Sequence, residues 1–176
     1  MSQAPAKLFK ECWTHAGDER VTREIDLIHE SVRATIESNK PLCQSSGRCC
    51  HFNTYGHRLY TTALEAAYTL RSLGNNPLPV LTNARRHDAC PFLRDNLCTI
   101  HEHRPAGCRI FFCDPSATEW TQHLYEHIHV AVKELHTRFS IPYLYIEWRS
   151  LLEVYDMLGL SAGSAVARDS GCPPRP

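Results

Sequence analysis

The stretch Cys43-Gln44-Ser45-Ser46-Gly47-Arg48-Cys49-Cys50 breaks into a chain that otherwise reads as amphipathic helix. Upstream of it, Val21, Ile25, Ile28, Val32 and Ile36 recur at three- and four-residue steps between charged residues, which predicts one helix over 19–38. At Asn39 the period stops. Pro41, two serines, Gly47 and an adjacent cysteine pair follow, and residues 39–55 read as a loop, chemically the densest part of the chain up to that point.

Outward from that loop, Leu8, Phe9 and Trp13 suggest a shorter helix broken near Ala16-Gly17-Asp18. On the other side, His57 to Tyr60 fits a short strand. Thr62-Ala63-Leu64-Glu65 has the form of a capping box opening a helix to about Leu73, with Gly74 as its stop. Cys90 to Ile100 reads as a small hairpin with a polar tip at Arg94-Asp95-Asn96, its two cysteines on neighbouring strands. A second box, Ser116-Ala117-Thr118-Glu119, predicts a longer helix with Trp120, Leu124, Ile128, Ala131, Leu135 and Phe139 as its buried stripe, ended at Pro142. A last helix is expected over 143–158, stopping at Gly159, and 161–176 reads as a disordered tail of small residues and prolines. The expected architecture is one α+β domain over 1–160, mostly α. An irregular cysteine-rich metal-binding segment, 43–113, carries the short hairpin and is flanked by N- and C-terminal helices.

Charge excludes several classes of function. Nineteen Lys and Arg balance nineteen Asp and Glu, so no basic excess marks a nucleic-acid binder and no polybasic cluster a membrane surface. No run of 18 apolar residues and no leader-like N-terminus is present, so the expected compartment is the cytoplasm. At 176 residues with 43% hydrophobic content, one core needs neither disulfides nor metal for size reasons. Nine cysteines are therefore surplus. In a reducing compartment an odd number of thiols points to metal ligands or reactive groups rather than disulfides.

Seven of the nine, Cys43, Cys49, Cys50, Cys90, Cys98, Cys108 and Cys113, crowd between residues 43 and 113. Thiolates are soft ligands suited to zinc and iron–sulfur clusters, and four of them complete either a tetrahedral zinc site or a four-iron cluster. Seven exceed one site. No pair has the two-residue separation of a zinc knuckle, and bacterial-ferredoxin spacing is missing.

The combination of Cys49-Cys50, then Cys90-Pro91-Phe92-Leu93, Cys98-Thr99-Ile100 and Arg104-Pro105-Ala106-Gly107-Cys108-Arg109 resembles the CxxCxxCC, YkgJ-type, cysteine-cluster family of zinc- or iron-chelating proteins, over about residues 43–113. The chain departs from the family name at Ser46, which stands where the second cysteine is expected. The first motif alone cannot supply four thiolates, so Cys90, Cys98 and Cys108 must share the metal with it. The resemblance extends distantly to the cysteine region of flagellin N-methylase, which makes a cluster-dependent protein methyltransferase an alternative activity. No glycine-rich nucleotide-binding turn accompanies it.

Arg48, Arg104 and Arg109 are placed to offset thiolate charge, and Arg104 and Arg109 are expected to tune the bound group. His51, His101 and His103 are possible substitutes for a cysteine ligand. His123-Leu124-Tyr125-Glu126-His127 matches the H-x-x-E-H metalloprotease pattern, but it borders the buried stripe and few residues remain for a third ligand. The reading is thus a cytoplasmic metal-binding protein carrying an iron–sulfur cluster, 4Fe-4S in type, for electron transfer or cluster-dependent chemistry. A structural zinc module is the alternative. Its partner would be a redox protein or a protein substrate.

Overall fold

Asp18 starts the first long helix by accepting the Arg20 backbone N–H at 2.9 Å, a side-chain cap on an otherwise orphaned donor. The computed structural model describes residues 3–74 and 78–161, so the expected tail and Cys172 lie outside the described residues except for Ser161. Among the described residues six α-helices appear: α1 (Gln3–His15), α2 (Glu19–Asn39), α3 (Ala63–Ser72), the single turn α4 (Ala106–Arg109), α5 (Thr118–Arg138) and α6 (Trp148–Met157). Four short strands accompany them: β1 (Tyr60–Thr62), β2 (Leu93–Arg94), β3 (Leu97–Cys98) and β4 (Tyr145–Glu147). The architecture is α+β and mostly α, with helices at both ends and the cysteine-rich stretch between them. No helix among the described residues is long and apolar enough to cross a membrane.

The main core gathers Phe9 and Trp13 of α1, Val21 and Ile25 of α2, Leu64, Ala67 and Leu70 of α3, and Trp148, Leu151, Leu152 and Tyr155 of α6. Phe52, Phe92 and Ile100 of the cysteine-rich stretch join it, which roots that stretch in the core rather than leaving it as a surface loop. A second cluster packs Val32 of α2 against Leu124, Ile128 and Val132 of α5, with Ala106 and Ile110 beneath. Cys12 is fully buried in α1. Its thiol lies 3.6 Å from the Pro142 carbonyl, and burial pushes its pKa up to about 12.

Five expectations are corrected. Residues 143–147 are not helical: Tyr145–Glu147 pair antiparallel with Tyr60–Thr62, and α6 begins only at Trp148. Tyr143, Tyr145 and Ile146 are β-favouring residues, and the β1 backbone groups need a partner that a helix could not provide. The strand expected at 57–60 therefore forms at 60–62. The second capping box is not made, because Asp114 accepts both Ser116 N and Ser116 Oγ, at 2.9 and 2.6 Å. Helix α5 starts at Thr118 and buries Leu124, Ile128, Val132, Leu135 and His136, with Val132 in the place expected for Ala131. Finally, Cys98 lies on β3 while Cys90 precedes β2, so the two are not on neighbouring strands.

The first capping box does form, and it does more than cap. Glu65 Oε2 accepts from Thr61 Oγ1 and Thr62 Oγ1, both at 2.9 Å, and from Thr62 N at 3.1 Å, while Oε1 accepts the Ala106 N–H at 3.2 Å. One buried carboxylate thus ties the β1–α3 corner to α4, the turn that carries Cys108. Glu65→Ala strands these buried donors and is expected to lower the unfolding free energy by about 3 kcal/mol. Thr62→Ala, which removes the cap alone, should cost about 1 kcal/mol. Urea unfolding midpoints of the two variants test the order.

Candidate metal centre

The loop at 43–50 tightens where Gly47 adopts φ +70° and opens a single 3-10 turn, Arg48–Cys50. A Cβ at Gly47 would lie 3.1 Å from the Asn96 Cα, so glycine here permits both the left-handed backbone and contact with the hairpin tip. At that tip, Asp95 and Asn96 hold φ +49° and +62°, the pair of positive values that closes a two-residue hairpin. Two backbone bonds draw the segments together: Cys90 N donates to Cys50 O at 2.7 Å and Phe52 N to Asp88 O at 3.1 Å. Cys49 and Cys50 are thereby set beside Cys90 and Cys98.

The third segment arrives through α4. Thr69 Oγ1 donates to the His103 carbonyl at 2.8 Å, and Gly107 approaches β1 so closely that a Cβ would meet Leu59 at 3.0 Å. Cys108 is carried in with that turn. Five thiols, Cys49, Cys50, Cys90, Cys98 and Cys108, then line one cavity of about 360 Å³. Cys49 and Cys50 sulfurs are 3.9 Å apart. Among the described residues no three His, Cys, Asp or Glu side chains are gathered as the ligands of a single ion.

Protons are unevenly shared among the five. Hydrogen bonding from Cys50 pulls Cys49 down to about 6, helped by the charge of Arg104 and opposed by burial. The same donor brings Cys98 down to about 7, with the Ile100 backbone and Arg104 contributing. Cys90 is also lowered, first by Cys50, then by the Phe92 backbone and by Trp148, whose Nε1–H donates to its sulfur at 3.4 Å. Cys50, the common donor, is pushed up. Burial, reinforced by the Cys90 thiolate, pushes Cys108 up as well. A buried group of thiolates with protons left to release suits a cation that displaces them.

The remaining sequence candidates fall elsewhere. Cys43 is exposed, and neither it nor Cys113 lines the cavity; Cys113 Sγ sits 3.7 Å from Ser46 Oγ, so the serine faces that outlying thiol. Arg104 lines the cavity and donates to the carbonyls of His101 and Cys108 at 2.9 and 3.4 Å. Arg109 does not line it. Its guanidinium donates to the Arg104 and Glu102 carbonyls and clamps the turn. Arg48 stacks over Tyr55, 5.4 Å from the ring centre.

His51 spends both ring nitrogens on Asp88 and Asn96, and His101 and His103 are outside the lining. His123, Glu126 and His127 point to solvent from α5, with Glu126 accepting from Gln122 at 3.0 Å. Trp148, Tyr60, Tyr125, Tyr145, His57 and Arg58 also line the cavity.

Residues 42–126 match the family model CxxCxxCC, described as "Putative zinc- or iron-chelating domain", an interval that contains all five cavity cysteines. No curated protein and no solved structure matches the chain. Metal-free, reduced protein is expected to develop thiolate absorbance with midpoints near 6 and 7 rather than at the ordinary 9.0. Cys50→Ala, which removes the shared donor, should move both midpoints upward. A titration followed in the ultraviolet checks this.

Proposed function

We propose, for a chain whose residues 42–126 match the CxxCxxCC family model, that Cys49, Cys50, Cys90, Cys98 and Cys108 furnish the thiolates for a four-iron iron–sulfur cluster. The protein would serve electron transfer or chemistry that depends on that cluster. The observation that carries the reading is the shape of the thiol group. A single zinc draws four sulfurs to about 2.3 Å from one point. Here five sulfurs lie at one end of a larger cavity of about 360 Å³, and among the described residues no three are gathered as the ligands of a single ion. A cluster takes one thiolate at each of its irons and fills a volume of its own.

The chain's own residues suit that role. Cys49, Cys90 and Cys98 are biased toward thiolate, and Cys50 and Cys108 hold the protons that ligation would release. Arg104 brings positive charge to sulfurs drawn from three segments. Trp148 Nε1–H donates to Cys90 Sγ, and a donor aimed at a ligand sulfur favours the more reduced, more negative state. Phe52, Cys90 and Ile100, all buried, restrict water on the floor of the cavity. When bound, such a cluster supplies one-electron transfer.

Protein purified without oxygen and without added metal is expected to contain iron with matching acid-labile sulfide, about four of each per chain. Cys90→Ser, Cys98→Ser and Cys108→Ser should each lose most of that iron, while Cys12→Ser and Cys43→Ser should keep it. Stoichiometric zinc without sulfide would replace the cluster by a structural zinc site, and equal iron in all five variants would overturn the ligand assignment.

A further inference from the structure

The cavity extends well past its thiol floor. Its lining continues through two aromatic groups: Tyr60 stacked on Tyr145 with ring centres 5.9 Å apart, and His57 stacked on Phe111 at 4.8 Å. Tyr60 and Phe111 are each 43% exposed, so this end opens to solvent. An apolar cavity of about 150 Å³ holds a benzene ring. The volume of about 360 Å³ therefore leaves room for a one- or two-ring molecule beside a group seated on the thiols.

Away from the thiols, the lining carries charge of one sign. It includes two arginines, Arg58 and Arg104, and no Asp or Glu among the described residues. Most of its polar groups are already engaged: Arg104 with two carbonyls, Gln122 with Glu126, the Tyr125 and Tyr145 hydroxyls with each other. Arg58 is exposed, and among the described residues its guanidinium has no hydrogen bond or ion pair. A free planar fork at the mouth of an aromatic chamber matches a carboxylate in both charge and shape.

We infer that the outer chamber is a binding site for a small planar aromatic carboxylate, its ring against Tyr60, Tyr145 and Phe111 and its carboxylate on Arg58. The inference rests on the preceding reading only in assigning the thiol floor to a metal group. The ligand would thus be held next to that group, with one end toward the metal and the charged end at the surface. Aromatic walls alone would also attract a cation through their ring faces. At the exposed end, away from the thiols, Arg58 turns the selection toward an anion.

The test uses the full chain, purified without oxygen, with iron, zinc and sulfide measured on the same sample. Calorimetric titration compares 2-naphthoate with naphthalene-2-carboxamide and with 2-naphthylmethylammonium. Naphthoate is expected to bind one to one and about tenfold tighter than either analogue, as a charge-assisted fork requires. Arg58→Gln should remove that preference while carboxamide binding and metal content stay unchanged, and Arg58→Lys should restore part of it. Absence of binding by any of the three, equal binding of anion and cation, or a preference that survives Arg58→Gln overturns the site. Metal without naphthoate binding defeats the chamber alone; naphthoate binding without metal upholds the chamber and defeats the cluster.

Discussion

Of the five thiols that line one cavity, three are held below the ordinary thiol pKa, and the charge of their thiolate forms has to be offset in a partly buried space. That constraint governs the middle of the chain. Cys50 meets part of it by staying protonated and donating to its neighbours, and Arg104 meets another part from the cavity wall. Thiolates partly formed in the folded chain are suited to a cation that would take up the rest.

Bringing the sulfurs together is a problem of backbone, and the clamps are specific. The 48–50 turn is bonded to the approach to β2 through Cys50 O and Cys90 N, and Gly47 lets the turn lie against the hairpin tip. Glu65 fixes α4 from the far side through the Ala106 N–H. Arg149, almost fully buried and paired with Glu147 at 2.8 Å, donates to the His87 carbonyl at 2.7 Å and anchors the segment leading to Cys90. Trp148, the next residue along, reaches the Cys90 sulfur itself. The thiol-lined site is therefore built on helices α3 and α6 as much as on its own loops.

The cavity has two chemical ends. Its floor is sulfur and apolar side chains; its mouth is aromatic rings with an unpaired arginine. The β1–β4 pairing creates this division, because its register places Tyr60 and Tyr145 on the same side and stacks their rings. A strand pair of three residues on each side thus shapes the approach to the thiols.

Local sequence determined the helices with a clear period, α2 and α5, the capping box at Thr62, the polar hairpin tip and the thiol-rich middle, because each is written within a few neighbouring residues as hydrophobic spacing or a cap. The resemblance to the CxxCxxCC family was legible for the same reason, from Cys49-Cys50, Cys90-Pro91-Phe92-Leu93 and Arg104-Pro105-Ala106-Gly107-Cys108-Arg109. Tertiary structure alone decided which five of the seven clustered cysteines share a cavity, that Arg104 rather than Arg109 faces it, and that residues 145–147 form a strand. These outcomes turn on contacts between residues tens of positions apart. Spacing along the chain cannot encode them; the β1 edge, the buried Glu65 carboxylate and the core around Trp148 set which segments meet.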